Sequence, residues 1–329
     1  MRRVCRVALL LPVLALAGCA GVQSALAPSG VEALAIDPLF WTATWVGVLV
    51  TLMVVVLMAV ALYGPPRWRA RLSGDRVVIG GGIVLPIVVL TGLFIYGLLV
   101  MQAGALRSQE AGGATVTITG KLWWWEVAYT GPDGEEVVSA NELRLPVGQP
   151  VKLRLLSDNV IHSFWAPQIG GKLDMIPGRA NEMVFEATEA GISRGQCAEY
   201  CGGAHALMSF YVVAMPQAEY QAWLAREAQS ARQPSTPEER RGQELFISNG
   251  CGGCHQVRGT EAGGRIGPDL THVGSRLSLG AAMLPNDAQA FALWIRDNQH
   301  IKPENQMPPF RQFSEDELSA VAAYLDSLE

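Results

Sequence analysis

Cys197-Ala-Glu-Tyr-Cys201-Gly-Gly-Ala-His205-Ala-Leu-Met208 sets two thiols, an imidazole and a thioether within one turn-sized segment. Thiolate, imidazole and thioether together select copper over magnesium or calcium, and a weak Met beside Cys and His is the ligand set of electron-transfer copper sites. A second histidine is available upstream as His162, in Ser157-Asp-Asn-Val-Ile-His162-Ser-Phe-Trp165, at the end of a Val-Lys-Leu-Arg-Leu-Leu run that alternates like a strand. Two other readings of the cysteine pair stay open on chemistry alone. A disulfide leaves the His and Met spacing unexplained, and zinc has no use for the Met.

Around this segment the chain reads as β structure. Short β-rich runs at 115–119, 123–129, 151–156, 182–187 and 210–214 are separated by turns, and Gly131-Pro-Asp-Gly134 is a hairpin turn signal. An all-β sandwich follows. In Trp123-Trp124-Trp125 a strand puts the first and third rings on one face and the second on the other. Residues 216–231 read as a helix, and Gln233-Pro-Ser-Thr-Pro237 as a stiff polar linker.

Beyond the linker, Cys251-Gly-Gly-Cys254-His255 is the c-type haem attachment motif, with two thiols for thioether bonds and His255 as an axial ligand. A helix over 238–249, with Leu245 and Phe246 on one face, ends at Gly250 just before it. A last helix over 314–328 opens with the capping box Ser314 and Glu317 and sets Leu318, Val321, Leu325 and Leu328 on one face. Met307, followed by Pro308 and Pro309, is the expected second axial ligand, because the prolines stiffen its loop. Met283 is an alternative, and His272 and His300 are read as surface residues. His–Met ligation raises a haem's potential and leaves no open site for oxygen, as suits an electron carrier.

Cys-x-Glu-x-Cys-x-x-x-His-x-x-Met, preceded by Ile161-His162-Ser-Phe-Trp165, resembles cytochrome c oxidase subunit II. The resemblance implies a cupredoxin sandwich with a binuclear copper centre, CuA, bridged by Cys197 and Cys201. It implies that His162 and His205 each hold one copper, with Met208 and the Glu199 carbonyl as weak axial ligands, and that the Glu199 carboxylate faces a magnesium site shared with subunit I. Trp123 would lie over the centre, where electrons come in. The last segment is similar to small class I cytochromes c, in which the Pro corresponding to Pro268 orients the proximal imidazole and Met307 would be the distal ligand. Together the two resemblances imply a subunit II of the caa3 type, with haem c fused behind CuA. Its partners would be subunit I with haems a and a3 and CuB, where oxygen is reduced and protons are pumped, subunit III, and a cytochrome c or upstream quinol–cytochrome c reductase as donor. The family's carboxylate in the second span, aligned on Leu85-Pro86, falls on Ile79, so that proton-uptake role is not carried over. Fusion raises the donor's effective concentration through a short tether, so docking need not be tight.

Two apolar stretches, 40–63 and 77–101, are each long enough to cross a hydrocarbon core of about 30 Å. The loop between them carries Arg67, Arg69, Arg71 and Arg76 against Asp75 alone, which keeps it cytoplasmic and both termini outside a bacterial plasma membrane. Gly80-Gly81-Gly82 reads as a close helix contact. At the N-terminus a basic start, an apolar run over 7–16 and Leu16-Ala-Gly-Cys19 read as a signal peptide with a lipobox-like end, so that Cys19 becomes a lipidated first residue. An ordinary signal cleaved nearby is the alternative. Of six cysteines none is then left for a structural disulfide. The expected division is 1–18 signal peptide, 19–36 N-terminal segment, 37–104 transmembrane α-hairpin, 112–216 all-β cupredoxin domain, 217–237 helix and linker, and 238–329 all-α cytochrome c domain. A net charge of −5 names no partner, and nothing points to nucleic acid. Two rival functions use the same parts: a CuA-bearing nitric oxide reductase subunit, and a copper-handling or redox-sensing membrane protein.

Overall fold

A computed structural model describes residues 21–110 and 115–329. The signal segment and Cys19 lie outside the described residues. Glu32–Glu110 forms one compact unit, and the described residues before and after it form the other.

The first unit is built on α1 (Val31–Tyr63), α2 (Pro66–Leu72), α3 (Asp75–Ile79) and α4 (Leu85–Glu110). At 1.5 Å per residue, the 33 residues of α1 rise about 50 Å, more than a hydrocarbon core needs. The helix starts nine residues before the expected span because Pro38, within its early turns, does not stop it. Gly80–Val84 is a π-helical turn joining α3 to α4. Within the described residues of this chain nothing lies within 4 Å of the Cβ positions of Gly80, Gly81 or Gly82, so the close contact read from the sequence is not one with α1. The approach falls instead at Gly97, whose Cβ position is 3.9 Å from Leu39, and at Gly104, 3.7 Å from the Glu32 carboxylate. These pairs run in opposite directions along the two helices.

The second unit begins with two five-stranded sheets. One has the order β3 (Glu136–Ala140), β2 (Trp124–Thr130), β1 (Thr115–Lys121), β5 (Val151–Ser157) and β8 (Asn181–Phe185). The other runs β4 (Glu142–Pro146), β10 (Ser209–Met215), β9 (Gly191–Cys197), β6 (His162–Trp165) and β7 (Lys172–Met175). The Gly131–Gly134 turn closes the β2–β3 hairpin as its sequence requires, with Gly134 at φ +82°. Asn141, at φ 61°, carries the chain from β3 into β4 on the opposite sheet, and its side-chain oxygen accepts from the Trp125 amide at 2.9 Å. Asn tolerates this left-handed conformation better than other non-glycine residues.

Between the sheets Phe164 stacks on Phe210 at 4.2 Å, and Trp125 meets both rings edge-on at 5.3 and 5.4 Å. Gly195 faces Phe210 across β9 and β10, where a Cβ would collide with the ring. The inward positions of β9 are Ser193, Gly195 and Cys197, all small, so this strand carries no apolar alternation. Residues 21–31 add an edge to the sandwich. The Ser29 amide donates to Gln168 at 2.7 Å, and the Arg194 amide to Val22 at 2.6 Å.

α5 (Gln217–Glu227) packs Tyr220, Trp223 and Leu224 into the sandwich core. The linker that follows is pinned: Arg232 donates to Ser327 and to the Glu239 carboxylate. The last domain is helical, with α6 (Pro237–Ser248), α7 (Ala288–Ile301) and α8 (Glu315–Asp326). Thr236–Glu239 and Ser314–Glu317 form full capping boxes, the second as the sequence predicts. Leu318, Val321, Leu325 and Leu328 are all buried. At the crossing of α6 and α8, Gly242 lies against the Ala320 carbonyl with no room for a Cβ. Gly242→Ala should therefore destabilise this domain by about 1–3 kcal/mol, the cost of overpacking, read as an earlier midpoint in denaturant unfolding followed by haem absorbance.

Candidate metal and haem centres

The sulfur-rich segment leaves the end of β9 and returns at β10, tied across its base by the Cys197 amide donating to the Met208 carbonyl at 2.9 Å. Within it the two Sγ atoms stand 3.7 Å apart, too far for a bond, and both cysteines are free and buried. His205 Nδ1 lies 3.5 Å from Cys201 Sγ, Met208 Sδ 3.9 Å from the same sulfur, and the Glu199 carbonyl 3.2 Å from Cys197 Sγ. His162 Nδ1 is 3.9 Å from Cys197 Sγ. His162, Cys197 and Cys201 offer ligand atoms all within 4.8 Å of one another.

His162 does not end the strand the alternating run builds. That run is β5, in one sheet, and residues 158–161 cross to the other, where His162 opens β6. In the crossing turn, the Asn159 side-chain oxygen lies 3.0 Å from His162 Nε2. An amide oxygen only accepts, so Nε2 carries the proton and Nδ1 turns its lone pair to the sulfurs. Sequence reasoning missed Asn159, although its place three residues before His162 was visible.

The sulfurs are electrostatically coupled. Hydrogen bonding from the Cys201 side chain pulls Cys197 down to about 3, with help from His162 and the Ser163 and Glu199 main chain against burial. The same hydrogen bond, burial and the resulting charge push Cys201 far up. A cation relieves this conflict by taking both sulfurs as thiolates. The donor set fits copper: two close thiolates, two imidazoles and a thioether are soft and intermediate ligands.

Trp123 sits against this loop. Its indole N–H donates to the Cys201 carbonyl at 2.8 Å, and Gly202, at φ +109°, has its Cβ position 3.0 Å from the ring. Trp125 is fully buried as core, and Lys121 lies over Trp124 at 5.6 Å.

The helical domain encloses a cavity of about 330 Å³. Cys251, Cys254, His255 and Met307 line it; Met283, His272 and His300 do not. His255 Nδ1 faces the Pro268 carbonyl at 2.8 Å, which leaves Nε2 for a ligand, and Gly267 sits where a Cβ would strike the imidazole. Burial lowers the His255 pKa, favouring the neutral, ligating form. Two free thiols, a neutral imidazole and a thioether lining an apolar cavity fit a covalently held haem. Met307 is steadied from α7, which the sequence did not reveal: Trp294 Nε1 donates to its sulfur at 3.2 Å and Gln299 to its carbonyl at 3.2 Å. His272, expected at the surface, is buried, because it packs 3.4 Å from Arg258 at the junction of the two domains.

Leu122, Trp123, Trp124 and Asn141 of the sandwich also line this cavity, so the haem domain is seated on the sandwich. Arg258 donates to the Val138 and Glu227 carbonyls, Arg144 to Ser275 at 3.4 Å, Arg194 to Ala282 at 3.3 Å, and the Leu277 amide to the Glu142 carboxylate. A tethered donor need not dock tightly, yet the interface here is built from directional polar bonds. Its polar groups come from segments far apart in sequence, which tether arithmetic does not consider.

Two redox sites in two packed domains, in a chain that also carries two helices long enough to cross a membrane, define a membrane-anchored electron-transfer protein. "Cytochrome C oxidase subunit II, periplasmic domain" matches residues 133–215, and "Cytochrome c" matches residues 239–329. The chain is 37% identical over 249 residues to cytochrome c oxidase subunit 2 of Alkalihalophilus pseudofirmus, covering 75% of this chain and 69% of that one. It is 31% identical to the subunit 2 of a Bacillus species (75% and 72% covered) and 32% identical to that of Bacillus subtilis (75% and 70%). The chain belongs to the cytochrome c oxidase subunit 2 family, with a cytochrome c domain fused at its C-terminal end. It is thus an electron-transferring subunit of a haem-copper terminal oxidase, which implies copper of the CuA kind, haem c, and subunit I as partner.

Two outcomes follow from the copper site. Asn159→Ala frees the His162 ring and should weaken copper binding about 10–100-fold, the usual cost of losing such an outer partner, measured by chelator competition. Because Cys201 keeps its proton where Cys197 is already ionised, loading at about pH 8 should release about one thiol proton per site, so affinity rises with pH. Calorimetry in buffers of different ionisation enthalpy counts that proton.

Proposed function

We propose that His162, Cys197, Cys201, His205, Met208 and the Glu199 carbonyl hold a binuclear copper centre, and that Cys251, Cys254, His255 and Met307 hold the haem. The observation that carries the first assignment is the sulfur pair 3.7 Å apart with one imidazole nitrogen beside each member. When bound, the two groups supply reversible one-electron storage, the haem toward an external donor and the copper pair toward subunit I, where oxygen is reduced.

The chain's own residues prepare both sites. Cys197 and Cys201 give two thiolates from one rigid loop, which limits the rearrangement that a change of one electron demands. Pro268 and Asn159 fix the orientation of His255 and His162. Trp123, hydrogen-bonded to the Cys201 carbonyl and lining the haem cavity, touches both sites and is the point at which electrons reach the copper loop. Met208 is fully buried, which keeps water from its sulfur. The Glu199 side chain is exposed and free to face a magnesium ion shared with subunit I. The arginine-rich loop between the helices supports a cytoplasmic position for that loop and an outer, periplasmic one for both redox domains. A soluble cytochrome c or a quinol–cytochrome c reductase is the donor class, and subunit III completes the membrane assembly.

Low-temperature electron paramagnetic resonance on the full-length, copper-loaded chain tests the assignment. One unpaired electron shared over two coppers is expected, and Cys201→Ser should abolish that signal while copper remains detectable. A mononuclear signal from the unaltered protein would overturn the binuclear reading.

A further inference from the structure

Lys302 is a buried charge that neither site uses as a ligand. It follows α7, five residues before Met307, and is 3% exposed. Lysine is almost never so buried without a partner. Here the partners are two main-chain oxygens: Nζ donates to Trp123 at 2.6 Å and to Gly280 at 3.1 Å. One oxygen belongs to the sandwich and the other to the haem domain. Burial draws the amine down to about 7, so the group is held there at a cost.

The carbonyl it grips is on the residue whose indole N–H is bonded to Cys201. Trp123 is therefore held from both sides, by its ring on the copper loop and by its main chain on the haem domain. A second contact lies beside this one. Gly203 of the copper loop lacks a Cβ where the Glu304 carboxylate packs, and Glu304 is two residues from Lys302. The other bonds between the domains, from Arg144, Arg194, Arg258 and the Leu277 amide, end on Ser275, Ala282, Val138, Glu227 and the Glu142 carboxylate, all outside the copper loop.

We propose that Lys302 is a positioning residue that latches the haem domain to the Trp123 segment, so that transfer between the two centres crosses one set contact instead of awaiting tethered encounters. The purpose of the latch rests on the relay reading above; the contact itself does not. The step it serves moves one electron, oxidising the haem iron and reducing the copper pair, with no bond made or broken. A flexible tether supplies an effective concentration of about mM. A fixed seat removes the orientation search as well.

Lys302→Met keeps an unbranched apolar stem and removes the donors. In full-length protein loaded with both cofactors, amide hydrogen exchange at 122–125 and 278–282 should quicken about tenfold, the scale of one lost hydrogen bond. Haem-to-copper transfer after flash reduction should slow about tenfold or more, since misplacement is costly in a positioned reaction. The absorption of the haem and the paramagnetic signal of copper should persist, and Lys302→Arg should restore most of the rate. Unchanged exchange and rate in Lys302→Met overturn the latch, and quicker exchange with an unchanged rate overturns its positioning role. Absence of haem-to-copper transfer in the unaltered protein would instead overturn the relay, while exchange still reports on the latch. If Lys302→Met does not fold, the unaltered protein decides: a transfer rate constant between about 0.01 and 1 M salt, where exposed charges become screened, supports a fixed seat, and a rate that falls overturns it.

Discussion

Two buried sulfur atoms 3.7 Å apart cannot both be anions unless a cation lies with them. The rest of the copper-binding end is arranged around that constraint. β9 and β10 clamp the loop at its base through the Cys197 and Met208 main chains, so the sulfurs cannot separate. The sandwich core, with Trp125, Phe164 and Phe210 in mutual contact, then sets β6 beside β9 and delivers His162 to the pair. Packing of large rings against small inward residues, Gly195 above all, is what lets a loop of polar ligands rest on an apolar base.

The same economy of side chains joins the two sites. Gly202 and Gly203 occupy adjacent positions in the copper loop, and each leaves space for a visitor, the Trp123 ring for one and the Glu304 carboxylate for the other. A side chain at either position would push the haem domain or the tryptophan away from the sulfurs. Around this contact the interface is polar, with the Glu142 carboxylate buried and its pKa raised by burial against the pull of Arg144. Buried charge is poor cement in itself, because desolvation offsets most of the attraction. Its value here is geometric: directional bonds to main-chain oxygens admit one orientation, whereas an apolar seam would tolerate sliding.

The parts that could be read from the sequence share one property, that their chemistry is local. The loop from Cys197 to Met208, the Cys251–His255 motif, the capping box at Ser314 and the turn at Gly131–Gly134 each lie within a dozen residues. Spacing along the chain is then nearly spacing in space. β9 escaped notice because its inward side chains are Ser193, Gly195 and Cys197, and α7 because no motif drew attention to it. The glycines at 80–82 suggested a helix contact by composition, but the approach between α1 and α4 falls at Gly97 and Gly104. Asn159 and Trp294 escaped because outer partners of a ligand carry no pattern of their own.

By itself the sequence determined which atoms can meet a metal or a haem: two cysteines, a histidine and a methionine in one loop, and two cysteines and a histidine in another. It determined the apolar length of two helices and the basic loop between them. Only the tertiary structure decided that His162 belongs to the opposite sheet from the run preceding it, that Asn159 selects its tautomer, and that Lys302 reaches Trp123 across 179 positions of chain. The reason is physical. Ligand identity is a property of side-chain chemistry, while the meeting of distant segments depends on how volumes fill a shared core, and that sum is settled only when all of them are packed together.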